Sequence, residues 1–195
     1  MLPPFLWRSY GRKTYASLRQ RCGLFFQTFF PLLNFACEKF NVNLILTDLT
    51  PDGSTNLHQF KEVADKIWDT ISLIDEFLAK TTSLSEEGRA IVASWKRRRK
   101  SMFMLERILK KGGILIDMED GQVFQVLGLH SSFEEMFHAF PLPIVVETTL
   151  LPFRDVIISD GLMQTYTIQF GPSMKKRYKD FYTTAKSTNA IHVRL

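Results

Sequence analysis

The chain has 195 residues, 45% of them hydrophobic and 23% charged, with 17 Phe and a formal net charge of +5. That balance suits one globular domain or two small ones and excludes intrinsic disorder, a collagen repeat and a disulfide scaffold. Two cysteines, Cys22 and Cys37, point to a reducing compartment and to buried free thiols.

The charge is laid out in alternating blocks. Residues 1–50, 96–111 and 161–195 are basic, while residues 51–95 and 112–160 are acidic. Blocks of opposite sign neutralise one another when the chain folds, so the net charge alone does not indicate nucleic acid. No secretory signal and no apolar run of roughly 20 residues is visible, which predicts a soluble cytoplasmic protein away from membranes. The first twenty residues, carrying Arg8, Arg12, Lys13 and Arg19, read as a disordered arm or an artefact of the chain start.

Phe26, Phe29, Phe30, Leu33, Ala36, Cys37 and Phe40 recur at i, i+3, i+4 spacing and predict a helix within 15–40. Pro31 should kink or split it, and Asn41-Val42-Asn43 should end it. Residues 46–56, with Thr50-Pro51-Asp52-Gly53-Ser54, read as a loop. A helix is predicted over 57–80 from the stripe Phe60, Val63, Ala64, Ile67, Trp68, Ile71, Ile74 and Leu78. Ser83-Leu84-Ser85-Glu86 opens another, running through Ile91, Val92 and Trp95 into the basic run. Residues 101–110 fit helix or strand.

After Gly112 the pattern becomes β. Asp120-Gly121 between two apolar runs predicts a hairpin, with strands near 113–117 and 123–129. Ser131-Ser132 starts a short helix over 131–140, and Ile144 to Thr149 is strand-like. Residues 155–159 and 162–170 read as a second hairpin about Asp160-Gly161. A basic amphipathic helix follows over 174–187, in which Met174, Tyr178, Phe181 and Ala185 form a packing face or, alternatively, Tyr178, Phe181 and Tyr182 among the cations suit stacking on a nucleic-acid strand, and the last eight residues read as frayed. The expected fold is α+β: a mainly helical region 1–100, a β-rich region 101–195, and N-terminal helices packed on a small antiparallel sheet or SH3-like barrel, with a C-terminal helix.

Phe29-Phe30-Pro31-Leu32-Leu33, Val126-Leu127-Gly128-Leu129 with Glu134-Glu135-Met136-Phe137, and Leu151-Pro152-Phe153 through Asp160-Gly161-Leu162 together resemble a family of uncharacterised bacterial hypothetical proteins of similar length. The resemblance implies strands after Lys100 and a bacterial cytosolic protein. It brings no activity, ligand or catalytic residue.

Two basic elements stand out: Lys96, Arg97, Arg98, Arg99 and Lys100 with Arg107, Lys110 and Lys111, and Lys175, Lys176, Arg177 and Lys179. One reading is phosphate contact, the other a solvated surface paired with the acidic blocks. His58, His130, His138 and His192 are scattered, and only His130 and His138 with Glu134 and Glu135 gather ligand types, at unspecific spacing. Asp117, Glu119 and Asp120 lack the rest of a calcium loop. No P-loop, GxGxxG, GxSxG or HExxH occurs, and no cofactor is implied. Three functions remain: a non-catalytic binding module engaging a protein partner or a second copy of the chain, a nucleic-acid binder, and an enzyme or ligand-binding protein with a pocket between the helical and β parts.

Overall fold

A computed structural model describes residues 12–42, 57–129 and 131–195. Its helices are α1 (Arg12–Phe40), α2 (Leu57–Asp69), α3 (Ser72–Lys80), α4 (Glu86–Ser94), α5 (Phe133–Phe137) and α6 (Pro172–Ser187). Its strands are β1 (Arg99–Leu109), β2 (Gly112–Asp117), β3 (Val123–Leu127), β4 (Ile144–Phe153), β5 (Val156–Ser159) and β6 (Gln164–Tyr166). The fold is α+β.

Helix α1 differs from expectation twice. Residues 12–20 are its first turns rather than an arm, and Pro31 lies inside one uninterrupted helix. It ends where Asn41 takes φ 52° and the Val42 N–H reaches back to the Cys37 carbonyl at 2.9 Å, a left-handed cap that satisfies the last free carbonyls. The loop expected over 46–56 lies outside the described residues.

The helix expected over 57–80 is two helices. The chain turns at Thr70-Ile71, where Leu73 N–H and Ile74 N–H bond the carbonyls of Thr70 and Ile71. Ile71 fits the apolar stripe by spacing yet stands 48% exposed. Helix α4 stops before the basic run. Trp95–Arg97 form one 3-10 turn, and Arg99 already begins β1, which settles 101–110 as strand.

The sheet is mixed rather than wholly antiparallel. Its pairings run β1–β2–β3–β5–β4 and return from β4 to β1, with β3–β5 the parallel pair. The β2–β3 hairpin at Asp120-Gly121 forms as expected. The second hairpin does not. β5 pairs with β4 across Arg154-Asp155, and β6 pairs with β4 as well, so Asp160-Gly161 is a corner between two strands laid along the same edge of β4.

Alternation along the strands divides the apolar residues into layers. Phe103, Leu105, Leu115, Phe124, Val126, Val146 and Ile157 face one interior, closed by Phe133 and Phe137 of α5. Helix α5 is shorter than expected but carries a full capping box, Ser132 with Glu135. Leu151, Phe153 and Ile158 face the helical layer, joining Phe25, Phe29, Trp68, Phe77 and Trp95. Met104, Ile114, Ile116, Val123 and Val145 face α6, which returns Tyr178, Tyr182 and Ala185. Each ring buried this way removes on the order of 200 Å² from water, about 5 kcal/mol of gross stabilisation before entropy.

The last residues are not frayed. His192 N–H donates to the Val123 carbonyl at 2.8 Å, Gln125 N–H donates to the His192 carbonyl at 2.9 Å, and the His192 imidazole stacks on Phe124 at 5.1 Å. The tail therefore extends the sheet beside β3.

Candidate functional site

The first basic element is largely consumed within the fold. Lys96 pairs with Asp75 at 2.8 Å, and Lys100 with Asp69 at 3.0 Å and Asp65 at 3.3 Å. Arg98 caps the end of α2 by donating to the Trp68 carbonyl. Arg99 donates through Nε to the wholly buried Asp117 at 2.6 Å and bridges to Asp120. Because the run lies on a 3-10 turn and then a strand, its side chains splay to different sides: 96, 98 and 100 reach α2 and α3, and 99 reaches the β2–β3 turn. The acidic blocks on either side supply these partners. Arg97 is exposed and has no carboxylate partner among the described residues.

Asp117 is thus a structural anchor rather than a calcium ligand. It also accepts from Ser101 Oγ at 3.0 Å and from Glu119 N–H at 2.8 Å. Among the described residues no three His, Cys, Asp or Glu side chains gather as metal ligands, and His130 lies outside them. Burial pushes the thiols of Cys22 and Cys37 up, with Glu38 adding to the effect at Cys37, so both stay protonated. Among the described residues no helix is long and apolar enough to cross a membrane.

The second basic element behaves differently. Lys175, Lys176 and Lys179 are exposed and form no ion pair among the described residues, and Arg177 rests over the Phe181 ring at 5.4 Å. The helix is held by Tyr178, Tyr182 and Ala185, with Phe181 partly buried, while Met174, expected in the packing face, is 37% exposed.

The two elements meet at α6. At 3.6 residues per turn, Lys175, Lys179 and Lys186 fall within roughly 40° of one another on one flank, over a length of roughly 16 Å. Tyr182 borders that flank, and the Arg107 guanidinium lies 3.9 Å from its ring centroid. Arg107 also pairs with Glu106, so its charge is shared. Beyond it, the exposed Lys110 and Lys111 form the β1–β2 turn. Lys186 completes this surface and is absent from the basic elements picked out of the sequence. Its i+7 spacing from Lys179 was the available signal.

Two concave surfaces accompany these charges. A cleft of about 600 Å³ lies at the seam of the helical and β parts, lined by Trp68, Asp69, Arg98, Lys100, Ser101, Met102 and Glu147. Its charged groups are mutually engaged: Glu147 accepts from the Tyr166 hydroxyl at 2.6 Å and pairs with Lys61 at 3.5 Å, and Lys61 pairs with Asp65. Burial works against the Lys61 charge, yet Asp65, Glu147 and Asp160 hold its pKa above the ordinary lysine value. The hydrogen bond to Glu147 likewise raises Tyr166. A larger groove of about 890 Å³ runs along the other flank of α6, between the helix and the chain's last residues.

No family model, curated protein or solved structure matches the chain.

Proposed function

We propose that the protein is a non-catalytic binding module that engages the phosphate backbone of a nucleic acid with one flank of α6. The observation that carries this reading is the contrast between the two basic elements: Lys96, Arg98, Arg99 and Lys100 are tied into the fold, whereas Lys175, Lys179 and Lys186 line up without carboxylate partners among the described residues. A cation without an internal partner keeps its field available to an outside polyanion. The stripe is presented rigidly, because the adjoining face of the same helix is anchored in the sheet by Tyr178 and Tyr182. Arg107, Lys110 and Lys111 extend it across the end of β1. Arg98 and Arg99, already engaged within the fold, have no part in the contact.

Binding of fluorescent duplex and single-stranded oligonucleotides, measured against salt, tests the reading. Replacing Lys175, Lys179 and Lys186 together with Gln should reduce the slope of log K against log salt by roughly 2–3 on duplex DNA, since each phosphate contact adds about 0.9. Arg97→Ala should leave the slope unchanged. An unchanged slope in the triple variant would sink the proposal.

A further inference from the structure

The groove on the other flank of α6 has no part in that contact. Its helical wall is Arg177, Phe181 and Thr184, and its opposite wall is Ala190 and His192, fixed by the tail's hydrogen bonds to β3. Ala185 and Val123 supply an apolar floor. The volume of about 890 Å³ falls within the range that small-molecule sites occupy, and the pattern of an apolar bed with a few polar groups at its rim is the usual one. Around that rim stand Lys176 and Arg177 against a single carboxylate, Asp180, with His192 at the far end. Unlike the seam cleft, whose charges neutralise one another, this rim keeps a net positive charge. Neither Lys176 nor Asp180 has an ion-pair partner among the described residues.

We infer that this groove is a binding site for a small amphipathic anion: a ring-sized apolar body lying between Phe181 and Ala190, with one anionic head held by Lys176 and Arg177. The charge count selects a monoanionic head over a cationic one, and the apolar floor of Ala185 and Val123 beside Phe181 selects a ligand with a hydrophobic body over inorganic phosphate.

The probe is 1-anilinonaphthalene-8-sulfonate, a planar apolar body with one sulfonate, titrated into the intact chain at pH 7.5 while near-ultraviolet circular dichroism monitors native packing. Saturable one-to-one binding is expected. Thr184→Trp, which fills the groove from an exposed helix position, and the pair Lys176→Glu with Arg177→Glu, which reverses the rim charge, should each weaken it at least tenfold with the dichroism unchanged. The Lys175, Lys179 and Lys186 variant should bind the probe as the parent does, so this result stands apart from the nucleic-acid result. No saturable binding by the native chain, or equal binding by both groove variants, overturns the inference. So does equal affinity for the cationic dye thioflavin T.

Discussion

Asp160 sits where the helical layer meets the sheet, 3% exposed, and its carboxylate accepts from Trp68 Nε1–H at 2.9 Å, from the Thr148 hydroxyl at 3.1 Å and from the Leu162 N–H at 3.1 Å. Desolvation raises its pKa from 3.8 to about 6, against the three donors and the nearby Lys61 charge. The folded state therefore holds this proton more tightly than the unfolded chain. The stability that the group contributes is complete below pH 3.8 and is lost as pH rises through about 6. A difference of about two units corresponds to about 3 kcal/mol. Asp160→Asn removes the titration while keeping one amide oxygen for Thr148 and Leu162, and it turns an N–H toward Trp68, a mismatch that costs the same at every pH. Urea unfolding of both chains from pH 4 to 7.5 isolates the effect. The stability of the parent relative to the variant should fall by about 2 kcal/mol over that window, the remainder of the difference being lost below pH 4. Emission from Trp68, assigned with Trp68→Phe, should titrate with a midpoint near 6 in the parent and not in the variant. A difference that stays flat with pH, or a Trp68 signal that titrates without Asp160, would refute the assignment.

The basic run has a stability role that denaturation separates residue by residue. Arg99→Ala leaves the buried Asp117 without its cation and should cost about 3 kcal/mol in urea, whereas Arg97→Ala should stay within about 0.5 kcal/mol. Gly112 has φ 128°, and a Cβ there would stand 2.1 Å from the Val126 carbonyl oxygen. Gly112→Ala should therefore separate β2 from β3 and cost several kcal/mol, read as a large fall in Tm. The neighbouring Lys111→Ala should leave Tm unchanged.

The α+β division was legible because helical spacing ends near Trp95 and Gly-punctuated β-branched runs begin at Gly112. What lay between was not. Phe103 and Leu105 face one interior and Met104 faces α6, so Met102-Phe103-Met104-Leu105 has no period that separates a strand buried on both faces from a helix. The turn at Thr70-Ile71 was hidden for a related reason. Ile71 satisfies the stripe by spacing, yet it sits in the turn between α2 and α3 and stands outside the core. Asp160-Gly161 carries the turn chemistry of a hairpin, but the Asp160 side chain is committed to Trp68 and Thr148, and the following strand continues along β4. The charge blocks correctly foretold mutual neutralisation. They could not foretell which basic block would be neutralised, because that depends on the start of β1 lying against the carboxylates of α2, α3 and the β2–β3 turn.

The circuit of strands has one short closure. β3 and β5 meet through two residue pairs, Val126 with Ile157 and Leu127 with Ile158, while β1 meets β4 through seven. Loop entropy must be overcome before so brief a contact repays it, so that join forms late in folding and yields first when the native state breathes. The amides of residues 126–127 and 157–158 should then exchange with deuterium ahead of those in the middle of β1. That gap would expose Ile157, a residue of the inner layer, without unfolding the helices.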